Sequence, residues 1–179
     1  MFSELCRWLV LLALLAAAVG KSLHVRRFRE SLESGFSALG RSGATLAAAA
    51  ILIGEGSAGL LMLAGGDASR IGLLLALVLF VSLTLVVVGV LAKGDSVRCN
   101  CFGAGEQRLS GFDLARNLVF IAAALAGLLG PSLSGGTGVL GGWPLPATLA
   151  IVAVAAMLLL LSLHLRDLAH FMQIRVEDL

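Results

Sequence analysis

Two cysteines separated by one residue, Cys99 and Cys101, are the residues of this chain whose types and spacing best fit chemistry. A disulfide between them would close a very tight ring through Asn100, and strained disulfides are oxidising and exchange readily. The nucleophile in such exchange is the thiolate, which the neighbouring guanidinium of Arg98 favours electrostatically. The spacing therefore predicts a thiol–disulfide exchange site.

The pair could also be half of a metal site, or two incidental small side chains. Structural zinc usually takes four ligands, and the three histidines show no recognisable ligand spacing to the pair, so we predict no metal. Cysteine is often a buried apolar residue. We prefer that interpretation for Cys6, which stands alone near the start of an apolar run, and we prefer the redox interpretation for Cys99 and Cys101.

Glu55 is a further candidate, because it interrupts the apolar run ILIGEGSAGLLML. A charged acid in the middle of a membrane helix costs about 3 kcal/mol if it faces lipid, so we expect Glu55 to face protein. Three interpretations stay open: a protonated, hydrogen-bonded acid, an ion pair with a basic residue such as Lys21 or Arg116, and a proton carrier or ligand group. The surrounding glycines suit close helix packing, which supports a structural role equally well.

The elements that must position these residues are membrane helices. Of the 179 residues, 59% are hydrophobic and 13% are charged, against roughly 25% charged in an ordinary soluble domain. A helix that crosses about 30 Å of hydrocarbon needs roughly 20 mainly apolar residues. We predict an all-α integral membrane bundle, a single domain over residues 1–179, with helices at about 5–21, 44–65, 71–92, 113–130 and 146–165.

Two segments between these spans have their own character. In residues 23–40, apolar side chains recur at spacings of three to five with charged residues between them, which suits an amphipathic helix in the membrane interface. We interpret this segment as a connector that binds lipid headgroups, in preference to a partner-binding helix. Residues 93–112 form the cysteine loop. Arg116 and Asn117 open the span that follows, where Arg116 could hold Glu55, anchor the helix or stabilise a thiolate.

The first span is short, and we expect Arg7 and Lys21 at its ends to extend their charged groups to the two interfaces. A cleaved secretory signal is the alternative. Dense positive charge directly after the run, in KSLHVRRFR, holds that side in the cytoplasm and favours an uncleaved helix.

Charge also predicts the orientation in a bacterial inner membrane. With five spans and the N-terminus outside, the inner segments hold eleven lysines and arginines and the outer segments hold two. Since positive residues concentrate on the cytoplasmic side, we predict an outer N-terminus, an inner C-terminus and a cytoplasmic cysteine loop.

Other function classes lack support in the sequence. No nucleotide-binding motif, nucleic-acid-binding arm or soluble domain is evident, and the formal net charge of +2 reflects the positive inner loops. We expect membrane lipid as a partner and no nucleic acid. No cofactor is evident, and a quinone is an unsupported option.

Several of these features occur together in one family. The chain resembles the methylamine utilisation protein MauE family, within the broader MauE/DoxX group of redox-associated membrane proteins. The resemblance covers about residues 5–130, and it rests on GK at 20–21, the amphipathic segment with Phe28, Glu55 with Gly59, CNCFG at 99–103 and RN at 116–117. The cysteine motif followed by RN is its most specific part.

The resemblance implies a membrane factor that matures, processes or transports the small subunit of methylamine dehydrogenase, a periplasmic subunit crowded with disulfides. It also implies a thioredoxin-like companion similar to MauD. Cys99 and Cys101 would exchange disulfides or pass electrons, with support from Lys21, Glu55, Arg116 and Asn117. A periplasmic client needs thiols outside, whereas the charge count puts them inside, so electrons would have to cross the bilayer.

Two other classes of function stay open beside this thiol–disulfide oxidoreductase. A quinone-linked disulfide oxidase would also be a small helical bundle, but it would be expected to carry a CxxC pair and a second cysteine pair, which this chain lacks. A non-catalytic scaffold for a partner protein would need no thiols.

Overall fold

The computed structural model describes residues 2–35, 40–93, 111–130 and 144–177. These residues form helices and no strands, which confirms the predicted all-α fold class. The six helices are α1 (Phe2–Leu23), α2 (Val25–Gly35), α3 (Gly40–Ala64), α4 (Gly66–Lys93), α5 (Gly111–Leu129) and α6 (Leu145–Glu177).

Five of these helices are long and apolar enough to cross a membrane, and the protein is a multi-pass membrane protein. The candidate spans are Phe2–Leu23, Gly40–Ala64, Gly66–Ala92, Gly111–Leu129 and Leu145–His164. The remaining helix, α2, has 11 residues and is amphipathic. The prediction of about five spans and one amphipathic helix is therefore confirmed.

Helix α1 is the central element of the bundle. Helices α1, α3, α4 and α5 form a ring in which each packs on its two neighbours, and α6 packs on the outer side of α1. The span of α1 is 61% buried, about twice the share of any other candidate span, so α1 is the core helix of the described bundle. Its side chains Val10, Ala13 and Leu14 have almost no exposed surface. A helix that other helices enclose on most sides is expected to carry apolar residues around its whole circumference.

Helices α1, α3, α4 and α5 alternate in direction, and each end of the bundle is defined by the helix ends that meet there. The guanidinium of Arg7 donates to the carbonyl oxygen of Met62, which brings the start of α1 to the end of α3. At the other end, which we call the α2 end, α1 finishes at Leu23, α4 finishes at Lys93 and α5 begins at Gly111. The chain that joins α4 to α5, and carries the two cysteines, therefore leaves and re-enters the bundle at the α2 end.

Helix α2 packs on α3 and α1 through one side chain above all. Phe28 is 1% exposed, whereas Arg26 and Arg27 on the other faces of the helix are exposed. The amphipathic pattern therefore seats α2 on the protein as well as presenting basic groups to its surroundings.

Glycines set the geometry where α3 turns into α4 and where the two helices then pack. Gly65 and Gly66 have φ angles of 76° and 56°, the left-handed region that glycine adopts without steric cost. At Gly72 a Cβ atom would lie 2.8 Å from the carbonyl oxygen of Ala58 and 2.9 Å from the backbone nitrogen of Met62. Small residues allow this kind of backbone approach in membrane helix pairs.

We expect Gly72→Ala to destabilise the bundle by roughly 1–3 kcal/mol, because the added methyl must push the α3 backbone away. Gly89→Ala is the matched control on the same helix, since a Cβ there meets nothing within 4 Å. Thermal unfolding of the two purified variants in detergent measures the difference. Equal melting temperatures would show that α3 and α4 do not approach closely at Gly72.

Candidate functional site

An ion pair between Lys21 and Glu55 joins α1 to α3 inside the bundle. The Nζ atom of Lys21 donates to Oε1 of Glu55, and the two residues are 1% and 2% exposed. Glu55 therefore faces protein, as the cost of exposing it to lipid requires. Of the three interpretations that the sequence leaves open, the structure contains the ion pair with Lys21.

The helix directions explain why these two residues meet. Gly59 faces α1, since a Cβ there would lie 3.6 Å from Leu11 and 3.7 Å from Leu15. Glu55 is one helical turn before Gly59, and because α3 runs antiparallel to α1, it lies about one turn beyond Leu15. Helical side chains tilt towards the N-terminus, so Lys21 reaches back along α1 to that level.

Lys21 also contacts α2. Its Nζ atom lies 5.4 Å from the centroid of the Phe28 ring, within the range of a cation–π interaction. One ammonium group therefore links α1 to both α3 and α2. The sequence predicts an amphipathic segment around Phe28 but does not indicate this contact, because the pairing of residues 21 and 28 requires the turn at His24 between α1 and α2.

The second carboxylate oxygen of Glu55, Oε2, is buried and has no hydrogen-bond partner among the residues that the structure describes. A buried acceptor without a donor costs about 1–3 kcal/mol, and more when it is charged. Native proteins satisfy nearly all such groups, with a protein group or with an ordered water molecule. The pair is therefore an incompletely satisfied polar site within a membrane-spanning region.

Asn117 adds a polar side chain from a third helix. It is 6% exposed on α5, which also runs antiparallel to α1, since a Cβ at Gly127 would lie 3.9 Å from Cβ of Cys6. The ten residues from Gly127 back to Asn117 correspond to about 15 Å of helix. Asn117 therefore lies near the level of Glu55, and three helices contribute buried polar groups there.

Arg116 forms an ion pair within its own helix. Its Nη2 atom lies 3.0 Å from Oδ1 of Asp113, one turn earlier in α5, and both side chains are partly buried. The sequence left open whether Arg116 holds Glu55, anchors the helix or stabilises a thiolate. In the structure, Glu55 pairs with Lys21, and Arg116 pairs with Asp113. Arg116 lies in the first part of α5, at the α2 end.

A second buried ion pair lies at the opposite end of the bundle. Arg7 is 2% exposed, contacts Oε2 of Glu4 at 2.8 Å and donates to the Met62 carbonyl oxygen at 2.8 Å. The expectation that Arg7 and Lys21 extend their charged groups to the membrane interfaces is therefore wrong, because each group is buried in the bundle and paired with a carboxylate. The spacing of Glu4 and Arg7, three residues apart on one helix, is the signal that could have identified this pair.

Of the three cysteines, Cys6 lies among the residues that the structure describes. Cys99 and Cys101, with Arg98, lie outside the residues that the structure describes, so their predicted roles stay predictions. Cys6 is a free thiol, 6% exposed, in the core of α1. In the described ranges, no three His, Cys, Asp or Glu residues are grouped in a way that could hold a metal ion.

The fold and this site define a multi-pass α-helical membrane protein with an ion pair in the membrane-spanning part of its bundle. The family model of the methylamine utilisation protein MauE matches residues 1–130, so the chain belongs to the MauE family. The match includes α1 to α5 and the cysteine loop, and α6 lies beyond it. No curated protein and no solved structure matches the chain significantly.

We expect Lys21→Met to lower the free energy of unfolding by about 3–5 kcal/mol, because it leaves the Glu55 carboxylate buried without a counter-ion. The double variant Lys21→Met/Glu55→Met removes both charges and is expected to recover most of this loss. Thermal unfolding in detergent measures both effects.

The matched control is Arg26→Met/Glu30→Met, which removes a solvent-exposed ion pair of α2. We expect it to change the stability by less than about 1 kcal/mol. If the double Lys21/Glu55 variant were as unstable as Lys21→Met alone, charge compensation would not be what the pair contributes.

Proposed function

We propose that this methylamine-utilisation-associated membrane protein matures the disulfide-rich small subunit of methylamine dehydrogenase by thiol–disulfide exchange through Cys99 and Cys101. The observation that carries the proposal is the MauE family match over residues 1–130, which includes the CNCFG motif. A thioredoxin-like protein similar to MauD is the proposed redox partner, and the disulfide-rich subunit is the proposed client.

The exchange needs two steps and moves two electrons. A thiolate of the Cys99–Cys101 pair attacks a disulfide of the client, which forms a mixed disulfide and releases one client thiolate. The second thiolate of the pair then attacks the mixed disulfide, which releases the reduced client and leaves a Cys99–Cys101 disulfide. The thioredoxin-like partner supplies two electrons to reduce that disulfide, and the same steps run backwards when the client is to be oxidised.

The geometry around the loop supports this role. Helices α4 and α5 pack along each other and hold the two ends of the loop, Lys93 and Gly111, at the α2 end. Exposed arginines of α2 and the start of α3, Arg26, Arg27 and Arg41, lie at the same end. A positive environment favours thiolates over thiols, which increases the rate of exchange.

The exposed positive charges at the α2 end also support a proposal for the orientation of the protein in the membrane. Because Arg7 is paired inside the bundle, it does not add exposed positive charge to the opposite end. We propose that the α2 end, with the cysteine loop, faces the cytoplasm of a bacterial inner membrane and that the N-terminus faces outward. Exchange with an exported client then requires either transfer of electrons across the membrane or contact before export.

We expect Cys99→Ser, Cys101→Ser and the double variant to abolish maturation of the client, because the two-step exchange needs both thiols. The measurement is the amount of correctly disulfide-bonded, active methylamine dehydrogenase in cells that carry each variant. Cys6→Ala is the matched control and is expected to retain maturation, since Cys6 is a buried core residue. Retention of maturation in the double variant would instead support a non-catalytic scaffold.

Single variants should also trap the intermediate. With one thiol of the pair missing, the mixed disulfide with the client or the thioredoxin-like partner cannot resolve. Cells quenched with acid and separated on non-reducing gels should show a covalent complex that reductant releases. The double serine variant should show none.

Orientation is tested by labelling Cys99 and Cys101 in intact spheroplasts with a membrane-impermeant maleimide. We expect no labelling until the membrane is permeabilised, because the loop faces the cytoplasm in the proposed topology. Labelling in intact spheroplasts would reverse the topology and allow direct exchange with an exported client.

A further inference from the structure

We propose that Lys21 and Glu55 form a thiol-activating site, in which Glu55 takes the proton of a cysteine thiol and Lys21 stabilises the resulting thiolate. The proposal rests on the proposed function, because it assigns the activating groups for the same exchange chemistry. Three features support it: the ion pair between Lys21 and Glu55, the unsatisfied Oε2 atom of Glu55, and the zero net charge of the pair.

The unsatisfied oxygen defines what the site can accept. Oε2 of Glu55 is a buried acceptor without a donor among the described residues, while Oε1 is held by Lys21. A ligand that completes the site must therefore donate a hydrogen bond to a carboxylate. Thiols, alcohols, amides and water all do so.

Charge balance selects among possible occupants. The pair is neutral as a whole, so an added proton or metal cation would leave net positive charge in a low-dielectric region beside the Lys21 ammonium. An added anion would face the free carboxylate oxygen of Glu55. Burying such uncompensated charge is costly, so the site favours a neutral donor.

A thiol is a neutral donor that this site can also activate. The S–H bond breaks, its proton forms an O–H bond with Oε2 of Glu55, and the electron pair stays on sulfur. The products are a neutral carboxylic acid, the Lys21 ammonium and a thiolate, so the net charge of the site remains zero. No electrons are transferred in this step. When the thiolate later attacks a disulfide, the departing thiolate takes the proton back from Glu55.

The position of the site agrees with this role. Lys21 is in the last turn of α1, and Asn117 of α5 lies near the level of Glu55, six residues after the helix begins at Gly111. That distance along α5 is about 9 Å. Both ends of the cysteine loop are at the same end of the bundle. The thiol can therefore come from this chain or from a client held at the α2 end, and the experiment separates these two sources.

The first arm measures alkylation of Cys99 and Cys101 by iodoacetamide at pH 7 in the purified full-length chain. Thiolate is the reacting form, so the rate reports thiol activation without any client. We expect Lys21→Met/Glu55→Met to slow alkylation by at least about tenfold, which corresponds to one decade in thiolate fraction. Glu55→Asp keeps the charge but withdraws the carboxylate by one methylene, and it should give an intermediate rate.

The second arm uses a chain with Cys99→Ser and Cys101→Ser, to which a neutral small thiol, propanethiol, is added. If the site takes a thiol from outside the chain, propanethiol raises the melting temperature, and propanol at equal concentration raises it less. Adding Lys21→Met/Glu55→Met to this chain should remove the difference.

The matched control removes the other buried ion pair, with Glu4→Gln/Arg7→Met at the opposite end of the bundle. We expect it to alter stability but not the alkylation rate. Equal slowing in this control, or no dependence on Lys21 and Glu55 in either arm, would overturn the proposal. Neither result would bear on the proposed function, which fails only if the cysteines are dispensable for client maturation.

Discussion

The requirement that buried charge be compensated inside the membrane organises this bundle. Helix α1 carries Arg7 near one end and Lys21 near the other, and each is nearly inaccessible and paired with a carboxylate. Both contacts also tie α1 to α3, through the Met62 carbonyl oxygen and through Glu55. Two neutralised attachment points about 14 residues apart fix the register of α1 against α3, and the remaining helices pack around that pair. Such attachments matter more in lipid, where apolar surfaces gain little by meeting each other.

Internal pairing changes how the charges of the sequence are to be interpreted. A lysine or arginine at the edge of an apolar run normally extends to the membrane interface, and a count of such residues predicts topology. Arg7 and Lys21 do not behave in this way, because Glu4 and Glu55 lie within reach in the folded bundle. The exposed positive charge then belongs mainly to residues such as Arg26, Arg27 and Arg41 at the α2 end. The difference in positive charge between the two ends of the bundle therefore rests on fewer residues than the count of lysines and arginines includes. These residues are exposed, so their charges can interact with the membrane surface and with solvent.

The sequence was sufficient for the parts of the structure that depend on composition and on local periodicity. Five apolar runs and one amphipathic segment follow from charge spacing alone, and the isolated Glu55 had to face protein for energetic reasons that apply to any membrane helix. Its partner could be narrowed to Lys21 or Arg116 but not chosen, because the choice depends on the angle and register at which α1, α3 and α5 meet. The contact of Lys21 with Phe28 and the close approach at Gly72 depend on the same geometry. Thiol chemistry came from the cysteine spacing, and the described helices show only where that loop is attached.

A structural tie alone does not account well for the Lys21–Glu55 pair. Replacing a buried ion pair with apolar side chains of similar volume is often neutral or stabilising, so a gain in folding free energy alone gives no reason to keep charges here. The region around Glu55 already packs closely, since Gly54 and Gly59 bring neighbouring leucine side chains to within 3.3–3.7 Å of where a Cβ would stand. In addition, a pair that served only to join helices would be expected to satisfy both carboxylate oxygens, whereas Oε2 of Glu55 has no partner among the residues described. Oε2 of Glu55, buried beside the Lys21 ammonium in a site without net charge, is therefore suited to a neutral hydrogen-bond donor.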